Sequence, residues 1–251
     1  MGLFKSSNPA LNEKVFQSAS VLAGEERMTI TGAVKKFGIM LLMLVGAASF
    51  TWDQFYKGAD VMPWAIGSAI GGLVLAIIII FKKSWSPYLA LGYAMFEGLF
   101  LGAVSAAFNA GFAAKYPGII QQAVLLTFGV SAAMFALYYF RILKASPTFT
   151  RVVVGATAGI ALFYLIDFVM HLFGVNMPYL HENGTVGVGI SLFVVTVAAM
   201  NLILDFDMIE QGAAQGAPKY FEWYSAFGLM VTIVWLYMEI LRLLSKLASR
   251  K

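Results

Sequence analysis

Cysteine is absent from the chain, which excludes disulfides, thiolate metal sites and cysteine nucleophiles. Histidine is nearly absent too: His171 and His181 are thin material for a zinc centre or a His-based triad. Charge is scarce, with Asp, Glu, Lys and Arg making up 12% of the 251 residues, against about 25% in soluble domains. No nucleophile elbow, phosphate loop or metalloprotease motif occurs, so neither an enzyme active site nor a cofactor is expected. The net charge of +4 could suit nucleic acid. The basic residues, however, punctuate hydrophobic runs and form no stripe, so no nucleic-acid partner is expected.

What the chain has is apolar length. Hydrophobic residues make up 60% of it, and its mean hydropathy is +0.80. A soluble protein of this size could not hide that much apolar surface from water. Three runs carry no charge at all: Val61–Phe81, Tyr116–Phe140 and Asn183–Leu204. Each passes the length of about 18 residues at which a spanning helix becomes the default. Four further segments carry isolated charges: Phe37–Trp52, Ser84–Ala114, Val152–Gly174 and Trp223–Leu244. The expectation is an all-α membrane protein, a bundle of seven transmembrane helices joined by short links. Residues 1–30 read as a cytoplasmic amino-terminal tail, 31–245 as the transmembrane domain and 246–251 as a basic carboxy-terminal tail. No short apolar run with a cleavage site follows Met1, so the first segment is expected to serve as an uncleaved insertion signal.

Eleven Lys and Arg residues flank the segments on the amino-terminal side and two on the other, which predicts a cytoplasmic amino terminus. Arg242, Lys246, Arg250 and Lys251 break that pattern if the last segment crosses fully. Re-entry is the alternative, and a full crossing is favoured.

Ionisable groups inside a bilayer cost a few kcal/mol on insertion scales, so each tends to have a function or a partner. Glu97 lies ten residues past Pro87, roughly 15 Å along a helix and about halfway across the hydrocarbon. It reads either as a proton- or cation-binding group or as a protonated acid bonded to a neighbouring helix. Asp205, Asp207 and Glu210 mark the expected cytoplasmic end of segment six, where together they could focus potential for cations at a pore mouth. The lack of a regularly spaced oxygen-ligand loop gives little support to a stoichiometric Ca²⁺ site, and no metal is assigned. Asp167 and His171, four apart near the far interface, and Glu239 and Arg242, three apart, read as structural pairs. Gly67-x-x-x-Gly71, Gly98-x-x-x-Gly102 and Gly155-x-x-x-Gly159 offer small-residue faces for close helix contact.

Four features carry a likeness: Met28-Thr29-Ile30-Thr31-Gly32-Ala33, the stretch from Pro87 through Tyr93 to Glu97-Gly98-Leu99-Phe100-Leu101-Gly102, the run Asn201–Gly212, and the span pattern. On these the chain resembles the Bax inhibitor-1/YccA-like family, in its bacterial branch. The resemblance implies a bundle with segment seven near its centre, in a bacterial inner membrane. It also implies a pH-sensitive Ca²⁺ leak gated by two hydrogen-bonded aspartates, one ending segment six and one in segment seven. Asp205 matches the first, with Asp207 as the alternative register. The second is missing: Val231 stands at the matching place, and Trp223 to Met238 contains no acid. Glu97 or Glu239 is the candidate substitute. The partners implied are the lipid bilayer and Ca²⁺ or other cations. The alternative function is a non-conducting modulator that engages a membrane protease such as FtsH through the amino-terminal tail.

Overall fold

The structure, a computed structural model, describes residues 26–112, 114–174 and 184–249. The part of the expected tail before residue 26, His181 and the last two basic residues lie outside the described residues. Among the described residues, seven helices are long and apolar enough to cross a membrane: α1 (Ile30–Tyr56), α2 (Met62–Phe81), α3 (Ser86–Phe112), α4 (Ile119–Tyr139), α5 (Pro147–Leu172), α6 (Thr185–Ala214) and α7 (Phe221–Ser249). A single 3₁₀ turn, Lys83–Trp85, leads into α3.

Local chemistry sets the helix starts. The Thr29 hydroxyl accepts from the Gly32 amide at 3.0 Å and caps α1. Ser146 caps α5 in the same way through Phe149, with Pro147 in the first turn, where its missing N–H costs nothing. Gly216 takes φ 68 just after α6 and closes that helix in the left-handed conformation that glycine tolerates. At the end of α4 the equivalent left-handed residue is Arg141, φ 59, a non-glycine in a costly region.

The bundle is built around α7. Two-thirds of its most apolar window is buried, against half for α3 and α6 and between 11% and 22% for the other four helices. It packs against α1, α3, α4 and α6, while α2 leans on α3 and α5 on α6. The outer helices keep apolar faces exposed, as at Leu42, Leu73 and Phe168; in a bilayer these faces meet hydrocarbon.

The last helix runs the full depth of the bundle. Glu222, at its start, touches the first turn of α1, whereas Lys246 donates to the Gly187 carbonyl at the start of α6 at 2.9 Å. The 29-residue helix therefore runs unbroken from the face where α1 begins (the near face) to the opposite one (the far face). At about 1.5 Å per residue it is roughly 43 Å long, ample for a 30 Å core. Two expected boundaries need correcting. Residues 246–249 continue α7, with Lys246 buried, so they are not part of a free tail. Helix α6 does not stop at Leu204 but continues to Ala214, because its acids find partners within the bundle.

The small-residue faces divide sharply. A Cβ on Gly98 would strike the Leu44 carbonyl and one on Gly102 the Ala48 carbonyl, so this motif sets the close approach of α3 to α1. Gly71 lies against Phe96. Gly67, Gly155 and Gly159 have nothing within 4 Å of an added Cβ, so the expected close contact is absent there.

Candidate functional site

The ionisable groups that bear on function lie at the near face, at the far face and in the interior. At the near face, Glu222 in the first turn of α7 is 1% exposed. Its carboxylate accepts from the Thr29 amide and hydroxyl, both at 2.9 Å, and pairs with Lys36 from the second turn of α1. Lys219 approaches to 3.4 Å. That lysine lies between α6 and α7 and is held above the ordinary lysine range mainly by the Glu222 charge. Backbone contacts reinforce the joint: the Met28 amide donates to the Ala217 carbonyl at 2.7 Å, and the Lys219 amide to the Glu26 carbonyl at 2.9 Å. A Cβ on Gly32 would collide with the Glu222 carboxylate, which explains the glycine in Met28–Ala33.

The second cluster, also at the near face, contains two of the three expected α6 acids. The Tyr138 hydroxyl at the end of α4 lies between Asp207 Oδ1, at 3.3 Å, and Glu210. Arg141 donates to Glu210 Oε1 at 2.5 Å and stacks over the Tyr138 ring. Gln211 donates to Asp207 Oδ2 at 2.5 Å. Asp207 and Glu210 therefore tie α6 to the end of α4 and the turn that follows it.

At the far face, Glu239 is 2% exposed. Arg242 donates to both its carboxylate oxygens, at 2.9 and 3.0 Å, and to the Tyr164 hydroxyl of α5 at 2.5 Å. Tyr164 in turn donates to Glu239. The three members of this triad satisfy one another's hydrogen bonds, so the buried Glu239 carboxyl is fully partnered. Asp167 and His171 lie in the last two turns of α5, half-buried and exposed respectively.

In the interior, Asp205 is 2% exposed, nine residues before α6 ends. The Lys246–Gly187 contact sets α6 and α7 antiparallel, and counting from it brings Asp205 level with about Gly228. Glu239 is then roughly 16 Å away along the axis, too far to act as the second carboxylate of a pair. Val231, at the matching place, is 37% exposed and apolar, so it supplies no second carboxylate. Near the Asp205 level, the buried hydroxyls of Tyr224 and Ser225 find no hydrogen-bonding partner among the described residues. Such groups recruit water or an ion.

Glu97 occupies a different interface. Its carboxylate lies over Gly72 of α2, where an added Cβ would come within 3.3 Å. Tyr93, one turn earlier, offers it a hydroxyl and rests its ring edge-on against Phe227 of α7, 4.8 Å between centroids. Glu97 belongs to the α2–α3 contact, and Asp205 to α6, which packs on α4, α5 and α7. The structure does not bring the two together. Among the described residues no three Asp, Glu or His side chains converge as a metal site would require.

Glu222, Lys36, Tyr138 and Tyr164 escaped sequence reasoning, because their partners lie far away in the chain. The only local signal was Thr29-x-x-Gly32, a cap beside a close approach.

No curated protein and no solved structure matches significantly. A family model described as Bax inhibitor 1 like matches residues 8–249. That span takes in the Thr29–Gly32 cap, the Glu97–Gly102 face and the whole acidic run of α6, and nearly the whole of this seven-helix membrane chain therefore belongs to the Bax inhibitor 1 like family.

Proposed function

We propose that the protein is a proton-sensitive cation leak, with Ca²⁺ the first ion to try, and that Asp205 is its switch residue. One observation carries the reading: an aspartate almost fully enclosed within α6, within about one helical turn of the unmatched hydroxyls of Tyr224 and Ser225 on the central helix. An acid sequestered at this depth is expensive and reads by default as part of an ion or proton path. Asp207 and Glu210, by contrast, are held by Tyr138, Gln211 and Arg141. They line the near face as a source of negative potential and leave the switching to Asp205. Glu97, at the α2–α3 contact, acts apart from Asp205 and not as its partner.

In this reading the near face is cytoplasmic, the membrane is a bacterial inner membrane, and α7 is the element against which the path opens. The test is Ca²⁺ flux into sealed proteoliposomes across mildly acidic to mildly alkaline pH. Asp205→Asn is expected to abolish the pH dependence, and Glu97→Gln to leave it in place. A pH profile unchanged by Asp205→Asn would overturn the assignment.

A further inference from the structure

One cavity among the described residues lies apart from the carboxylates. It is a cleft of about 680 Å³ in the far half of the bundle, walled by α1, α3, α4 and α7. Its floor is buried, at Leu44, Met230 and Tyr237, while its rim is exposed, at Val45, Leu125 and Phe128. The rim residues sit on α1 and α4, two helices that do not pack extensively on each other, so the cleft opens sideways between them.

Its walls refuse water and ions. The hydroxyls that line it are already committed: Ser105 with Tyr237 at 2.6 Å, Thr127 to the Ala123 carbonyl at 2.7 Å, and Ser49 to the Val45 carbonyl at 2.8 Å. The remaining lining is almost entirely hydrocarbon. An apolar cavity of this kind does not hold water, and a cation in it would lose its hydration without compensation. The cleft is therefore no part of the proposed ion path.

Its length selects an occupant. Along α1 the lining runs from Leu41 to Trp52, roughly 16 Å, or about half the 30 Å hydrocarbon thickness. The cleft begins at the far interface, beside Trp52 and the Gln121 amide in the first turn of α4, and ends in mid-bundle at Leu41 and Met230. One leaflet deep, open to the bilayer and polar only at its mouth, it matches one lipid chain. At 680 Å³ the cleft is within the usual range of small-ligand sites.

We propose that this cleft holds an acyl chain of a phospholipid from the far-face leaflet, with the headgroup at Trp52 and Gln121. The site is independent of the carboxylates.

The test releases the full-length protein from phosphatidylcholine nanodiscs and counts retained lipid by native mass spectrometry. The wild type is expected to keep one phosphatidylcholine per chain. Val45→Trp and Val124→Trp, which fill the cleft from opposite walls, are expected to lose it. Leu42→Trp, on the exposed part of α1 outside the lining, is expected to keep it. Equal retention in all four proteins would mean ordinary boundary lipid and would overturn the proposal. So would a dimer without lipid, which would make a second copy the occupant. An independent readout needs no cleft-filling change. With the other four tryptophans replaced by Phe, Trp52 should be quenched by trace brominated phosphatidylcholine more strongly than Trp64 retained alone on lipid-facing α2. Equal quenching of the two would also count against the site.

Discussion

Replacing Glu222 with alanine removes a carboxylate that serves the α1 cap, Lys36 and the α6–α7 link at once. Because Glu222 is 1% exposed and Lys36 17%, the loss leaves a largely enclosed ammonium and two Thr29 donors unmatched. Breaking a buried pair in this way costs about 3–5 kcal/mol. Glu222→Gln keeps an oxygen for Thr29 and loses only the charge, so about 1–3 kcal/mol is expected. The sharper test pairs Glu222→Ala with Gly32→Ala. Alone, the added methyl at position 32 collides with the Glu222 carboxylate, an overpacking that costs about 1–3 kcal/mol. The three nearest neighbours of that Cβ are all Glu222 carboxyl atoms, so most of the penalty should vanish once the carboxylate is gone. Denaturant unfolding in bicelles, followed by circular dichroism, would then give a coupling of about 1–3 kcal/mol. Additivity within about 0.5 kcal/mol would refute the joint as described.

Three further outcomes follow from the same structure. Gly98→Val and Gly102→Val drive side chains into the carbonyls of α1 and should cost at least about 1–3 kcal/mol in the same unfolding assay, while Gly155→Ala and Gly159→Ala, facing open space, should change stability by less than about 0.5 kcal/mol. The lack of native cysteine makes single-cysteine labelling clean: with the near face cytoplasmic, Lys57→Cys should react with a membrane-impermeant maleimide from outside and Lys144→Cys only from inside, and the reverse pattern would invert the orientation. Lys219 has a raised pKa, so its contribution to stability is complete below the ordinary lysine range and fades as pH climbs through the raised value; Lys219→Met should flatten that alkaline limb of the melting curve.

The spans could be read from the chain because nothing soluble explains three charge-free runs of that length. Their ends could not. The first apolar segment, Phe37–Trp52, reads short, yet α1 begins at Ile30 and Lys36 is accommodated within it because Glu222 arrives from the other end of the sequence. The acids after Leu204 read as the end of segment six, yet Tyr138 and Arg141 from α4 and its turn hold Asp207 and Glu210 inside a helix that continues to Ala214. Glu239 and Arg242 were readable as a pair from spacing alone, whereas Tyr164, which completes the triad, was not. Of the candidate site, the identity of Asp205 came from the family resemblance and its enclosure from the packing of α6. The separation of Glu97 from Asp205 depends on which helix each faces, and helical period does not carry that information between segments.

The most direct measurement of the central claim is Ca²⁺ entry into sealed liposomes containing the wild-type protein, compared with empty liposomes prepared in parallel. The account expects an entry rate above the empty control that changes with pH and loses that change in Asp205→Asn. A wild-type signal no greater than that of empty liposomes at every pH would contradict it.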